Sequence, residues 1–301
     1  EPLRSEAVTS APRIGPLRNA IASLGAFVIY VLIRLFGRRV QPAEAPWLMG
    51  PIGGEHIGDR PYDEYAAEHG LEVVRNAREG GLIPSFEALA GPSFDPSLIA
   101  PEVRDFYEHT GAYRMDVWAK TFFPSNLALW LLVTTISRKV DQLNFPVDTF
   151  DTASGMDSEI VLLRDAHGEV RCTGWFRRLV EGGRVLYTGF YTSQVVPGHT
   201  SACVKVAFPM PNGNATVILR PEVGEGGALI LDSSGPGFGN VGFYRMQRFG
   251  RGDALTVWKI RSLKERFRVY LDAERVVRCD HAIRFLGLPV LSLHYRIQRK
   301  G

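Results

Sequence analysis

From Asp157 to the C-terminus the chain alternates apolar and polar residues with a period of two, broken only by short turn-forming clusters. In the segment 276–285, Val277, Cys279, His281, Ile283 and Phe285 fall on one side, and Val276, Arg278, Asp280, Ala282 and Arg284 on the other. Successive side chains of a pleated strand point to opposite faces, so this rhythm predicts a sheet with one greasy and one wet face.

Strands are expected at 158–164, 169–180, 184–194, 202–208, 215–220, 228–232, 241–249, 255–262, 266–272, 276–285 and 289–298. The links between them are tight, among them Asp165-Ala166-His167-Gly168 and Pro211-Asn212-Gly213-Asn214. Asn-Gly is a strong hairpin signal because both residues tolerate positive φ. Short links join antiparallel neighbours, whereas parallel strands need a long crossover. About eleven strands exceed a comfortable flat sheet, so they should curl toward a barrel or fold into two layers. The fold class that follows is α+β: a large curved antiparallel β-sheet or β-barrel in the C-terminal half, with a helical N-terminal portion packed on it.

Three segments are expected: a polar arm and short apolar helix over 1–40, an irregular and helical stretch over 41–150, and the barrel-like domain over 151–301. Residues 20–33 carry no charge, and Arg34, Arg38 and Arg39 follow. A bilayer-crossing helix needs about 17 apolar residues or more, and this run reaches that only by taking in Arg34 and extending to Phe36. A helix that is buried or lies on a membrane surface is therefore favoured over a single-pass anchor or a targeting peptide. A second, shorter apolar run at 127–136 has Ser125 as a helix cap and ends before Arg138 and Lys139. Residues 61–79 read as a helical hairpin broken at Gly70. Pro101 opens a further helix in which Val103, Phe106 and Tyr107 share a face.

Charge is unevenly shared: residues 1–150 hold 14 Lys+Arg against 18 Asp+Glu, and residues 151–301 hold 21 against 14. The basic rear half reads first as a solvated outer sheet face, and second as a surface for anionic lipid or an acidic ligand. Its basic residues are scattered and no zinc-finger, helix-turn-helix or RNP pattern accompanies them, which argues against nucleic acid. Cys172, Cys203 and Cys279 stand alone inside expected strands, as buried reduced thiols do, so the expected setting is membrane-associated with the soluble domain in a reducing, cytoplasmic compartment.

Several motifs lack their context. Gly235-Pro236-Gly237-Phe238-Gly239 leads into a strand, without the helix N-terminus that holds a phosphate. Asp151-Thr152-Ala153 lacks the glycine and the second copy that an aspartic-protease site requires. Asn214-Ala215-Thr216 is a glycosylation sequon that matters only in a secreted chain. No cofactor and no metal are expected.

The catalytic candidates are His281, Asp157 and Glu159. His281 lies on the apolar face in line with Cys279, as a satisfied core group or as the wall of a hollow interior able to exchange protons with a ligand. Asp157 and Glu159 share a strand face, the spacing of an acid–base pair and equally of solvated residues at a strand start. The ligand-binding candidates are Tyr107, His109, Tyr113, Trp175, Arg177 and Phe285. The first three belong to a polar–aromatic cluster in which Asp105 stands one turn before His109. Trp175 and Arg177 share a face suited to an anionic head group or simply turned outward. Phe285 is expected to help fill the interior. The leading expectation is a membrane-associated protein holding a lipid or other hydrophobic small molecule in a curved sheet. The alternatives are a cofactor-independent isomerase, cyclase or hydrolase using the same cavity, and a structural subunit of a membrane complex. Expected partners are the hydrophobic ligand and a membrane surface, and no sequence pattern sets an oligomeric state.

Overall fold

The computed structural model describes residues 16–54, 57–123, 142, 156–180, 185–250 and 252–301. The front of the chain forms α1 (Pro16–Phe36), β1 (Arg38–Val40), α2 (Pro61–His69), β2 (Glu72–Val74), α3 (Pro101–Glu108) and β3 (Tyr113–Thr121). The alternating rear half then forms β4 (Met156–Arg164), β5 (Val170–Leu179), β6 (Val185–Gln194), β7 (Cys203–Met210), β8 (Gly213–Val223) and β9 (Leu229–Asp232). It ends with β10 (Gly242–Arg248), β11 (Leu255–Lys259), β12 (Leu263–Leu271), β13 (Val277–Phe285) and β14 (Leu288–Arg299). These rear strands follow the expected ones closely, and the α+β class with a large curved antiparallel sheet holds.

Hydrogen-bonded neighbours run in the order β2-β4-β5-β6-β7-β8-β9-β12-β13-β14-β3. The sheet forks at β8. Its residues from Gly213 to Ile218 pair with β10, whereas those from Arg220 to Val223 pair with β9. The side branch continues from β10 through β11 to β1. Two curved layers thus face each other across one shared strand. The barrel form does not occur: β2 and β3 end the path, and no ladder joins β3 to β4 among the described residues. The free edge of β4 is instead taken over part of its length by β2, at Leu162–Arg164.

The front of the chain departs from expectation at two places. Gly70 ends α2 in the left-handed conformation at φ 64, and an extended strand follows where a second helix was expected. Val73 and Val74 are β-branched, and the open edge of β4 satisfies their backbone groups. Residues 113–121, for which no strand was expected, pair with β14. The expected helix at 127–136 and the Asp151 loop lie outside the described residues.

The hairpin signal at Asn212-Gly213 is correct in place but shifted in register. Met210 pairs with Gly213, so Pro211 and Asn212 form the turn, with Asn212 at φ 54. Gly213 already belongs to β8, and a Cβ there would lie 2.0 Å from the Met246 carbonyl oxygen of β10. Glycine is required by this close approach of two backbones.

Between the layers, Ile160, Trp175, Val206 and Val217 meet Val269, Cys279 and Ile297. One end of this core is plugged by Leu82, Ile83, Phe86, Val103, Phe106 and Tyr107 from the front of the chain. The outer side of β4–β7 is also covered, by Tyr62 and Ala66 of α2. Trp47 and Leu48 cover the outer side of β8, β10 and β11. The outer side of β12–β14 turns Lys264, Arg266 and Arg268 to solvent. α1 rests on the side branch, with Ile33 buried, Phe36 stacked on Trp258 at 6.1 Å and Tyr30 edge-on to Phe249 at 4.8 Å.

A candidate ligand site around a buried arginine

Alternation along β5 decides which side chains enter the space between the layers. Cys172 and Phe176 turn outward against α2, so Trp175 and Arg177 turn inward. Arg177 is only 3% exposed. Its guanidinium carbon lies 4.9 Å from the Trp175 ring and 5.7 Å from the rings of Tyr187 on β6 and Tyr295 on β14. Because β14 belongs to the opposite layer, this one side chain spans the gap between the two layers.

Arg177 is acted on by the hydroxyls of Tyr187 and Tyr295, and its Nη2 lies 3.2 Å from the Met156 sulfur. Its Nε has no hydrogen-bond partner among the described residues. Among the described residues no carboxylate forms an ion pair with it, whereas the adjacent Arg178 meets Asp157 at 2.7 Å on the outer face. Burial pulls the Arg177 pKa down, but the two phenols outweigh burial and the net direction is up. Burial drives Tyr191 and Tyr295 well above the usual phenol range, and raises Tyr187 against the pull of Arg177. The phenols therefore stay neutral, and the guanidinium is the formal charge of this cluster. Placing a full cation among neutral groups is costly, and aromatic faces and hydroxyls offset only part of that cost. An anion entering here would find an unused N–H donor and a cation already stripped of water.

Farther along the same interior face, His281 stacks on Phe267 of β12, with ring centres 3.8 Å apart. Its Nε2 lies 3.5 Å from Glu265 Oε2 without a formed hydrogen bond. His281 is two residues from Cys279, which pairs with Tyr295, so the histidine and the arginine cluster share one wall. Trp175 is fixed by donating from Nε1 to Ser158 Oγ at 2.5 Å.

The remaining sequence candidates are dispersed. Asp157 and Glu159 do share a face, but it is the outer one. Asp157 pairs with Arg178, and Glu159 accepts from the Asn76 N–H at 3.3 Å with Arg75 at 3.8 Å. Neither joins His281. Tyr107 is buried in the core plug, and Tyr113 donates to Asp105 beside it. His109 lies 3.1 Å from Asp105, as the one-turn spacing predicts, but is 38% exposed on its side chain. Phe285, at a strand end, is 46% exposed rather than interior. Sequence reading missed Tyr191, Tyr295 and Glu265 as part of the interior. Tyr187 and Tyr191 share strand parity, and Tyr295 falls opposite Cys279; that pairing was the available signal.

Other tempting motifs resolve into structure. The Gly235–Gly239 loop turns carbonyls, not N–H groups, toward a charge: Lys259 Nζ donates to the carbonyls of Gly235, Gly237 and Val241 at 2.6–3.0 Å. That polarity suits a cation. Asn214 of the sequon is 1% exposed and donates to the Pro51 carbonyl. The three cysteines are free and buried. Among the described residues no cluster of three or more His, Cys, Asp or Glu could hold a metal ion.

Comparison with known proteins gives one distant similarity. Over 237 residues the chain is 23% identical to a Bacillus subtilis protein named "Uncharacterized membrane protein YndJ", a match covering 75% of this chain and 40% of that protein. The chain thus spans well under half of this relative's length. No family profile and no solved structure matches. Among the described residues no helix is long and apolar enough to cross a membrane.

Proposed function

We propose that this protein is a membrane-associated binding module that holds an amphipathic small molecule between its two layers, with an acidic group against Arg177 and an apolar body among the aromatic rings. The observation that carries this reading is the buried guanidinium, which has an unused N–H and no carboxylate among the described residues. The aromatic lining of the same space, Trp175, Tyr187, Tyr191 and Phe267, suits an apolar chain or ring system. The membrane setting draws support from the relative, itself named a membrane protein.

The test pairs a fluorescent long-chain carboxylate with its uncharged methyl ester. The carboxylate should bind about 10- to 100-fold more tightly, the worth of a charge-assisted hydrogen bond. Arg177→Met should abolish that preference while the melting temperature holds or rises, because an apolar replacement removes a buried charge without leaving a hole. Equal binding of the two probes, or a large loss of stability in Arg177→Met, overturns the reading and makes Arg177 a structural residue.

A second reading rests on His281, whose unpartnered Nε2 faces Glu265 on the same wall. Such a pair is placed for proton transfer on a bound ligand. His281→Gln with unchanged ligand affinity and lost turnover supports an enzyme acting without a cofactor.

A further inference from the structure

A helix that is apolar all round is normally covered on every side. α1 is not. Its buried side, around Ile33, lies on β10 and β11, yet the opposite side is also apolar. Leu24, Phe27, Val28 and Leu35 recur at helical spacing along it and are 63%, 61%, 46% and 69% exposed. Phe36, at the end of the helix, is 65% exposed and stacks on Trp258. Scattered surface leucines need no explanation, but a continuous stripe along one element does.

Every charged residue along the stripe and into β1, from Pro16 to Val40, is an arginine. Arg34, Arg38, Arg39 and Arg248 are exposed at its C-terminal end, and among the described residues none forms an ion pair. Arg34 and Arg38 lie instead over the rings of Phe249 and Phe238, at 5.5 and 4.2 Å. Apolar side chains backed by aromatic rings and unpaired arginines match the layered chemistry of a bilayer interface: acyl chains, then the headgroup boundary, then anionic phosphates. The helix also cannot stand apart from the sheet without losing contacts, because it runs directly into β1, which pairs with β11. Its C-terminal half is held against the sheet by Tyr30, Ile33 and Phe36, and the exposed stripe lies on the side away from it.

From this geometry we infer that α1 and the arginines at its end form a surface that docks on an anionic lipid bilayer. The helix lies in the interface with Leu24, Phe27, Val28 and Leu35 inserted, and Arg34, Arg38 and Arg39 engage lipid phosphates. This deepens the membrane association of the proposed function and is independent of the interior ligand.

Flotation of the purified chain with vesicles tests it, using phosphatidylcholine alone and phosphatidylcholine with about one quarter phosphatidylglycerol. The chain should float with the anionic vesicles and release on raising salt to about 0.5 M. Arg38→Gln with Arg39→Gln should weaken binding about fivefold per charge removed. Leu24→Gln with Phe27→Gln and Leu35→Gln should abolish it, with melting unchanged because these side chains are exposed. Arg177→Met should float like the original protein, so failure of the interior site leaves this result standing, and the reverse also holds. Unchanged flotation of the triple variant overturns the inference. So does a chain that ignores anionic vesicles but forms dimers that the triple variant lacks, which assigns the stripe to a second copy.

Discussion

The two layers are built from the same strand pairing but live in different surroundings. β7 and β8 have helix, loop or sheet on both faces, and nearly every residue from Cys203 to Leu219 is buried. β13 is covered on one face only, and its exposure alternates strictly from Val277 to Ile283. A two-sided strand has no spare direction in which to push an added atom, whereas a one-sided strand has solvent. Arg177 on β5 lies in the same crowded interior, 3% exposed, with its charge held away from water.

The largest expected effect tests the crowding. A Cβ at Gly174 on β5 would lie 2.3 Å from the Tyr62 ring of α2. Gly174→Ala should cost about 1–3 kcal/mol in urea unfolding, the usual penalty of overpacking. Ala282→Val on the wet side of β13 should stay within about 0.5 kcal/mol. Equal costs would remove the distinction between the layers.

The next effect is a pH dependence located in the covered layer. Burial pulls the Lys205 ammonium down to about 8 from 10.5, and it donates to the carbonyls of Trp47 and Met49. Above pH 8 the folded protein releases this proton before the unfolded chain does, so stability should rise with pH there, by about 1 kcal/mol over one unit. The thiols act in the opposite sense. Burial pushes Cys172 to about 12 and Cys203 to about 11 from 9.0, so above pH 9 the unfolded chain ionises first and stability falls. Urea midpoints at pH 7.5, 9 and 10.5 should therefore peak at about pH 9, where the opposing shifts balance. Lys205→Met should reduce the rise and keep the fall.

The smallest effect sharpens the contrast between adjacent residues. Arg178 and Asp157 pair on the outer face with side chains 52% and 48% exposed. Arg178→Gln should change stability by about 0.5 kcal/mol or less and leave ligand preference untouched, although Arg177 is its neighbour.

Alternation is plainest in the one-sided strands, where one face is wet, whereas β7 and β8 were placed with the help of the Asn212-Gly213 turn signal between them. β3 carries the same rhythm, with Tyr113, Met115, Val117 and Ala119 toward the interior, but it lies far in sequence from the other strands, without a hairpin turn to announce it, and was missed. β2 has three residues, too few for a period to register. The candidate site was half legible. Strand parity placed Trp175 and Arg177 together, yet β5 has an aromatic residue on each face, Trp175 and Phe176, so parity alone did not say which face was enclosed. The approach of Tyr295 to Arg177 depends on the curvature of fourteen strands, which no local pattern encodes.

One strand common to both layers has a mechanical meaning. A sheet creased along β8 resembles a folded card: its spine resists parting, because widening there must bend a continuous backbone. At the margin opposite, β3 and β4 share no ladder among the described residues. On the proposed reading, a guest bound for Arg177 enters by that margin.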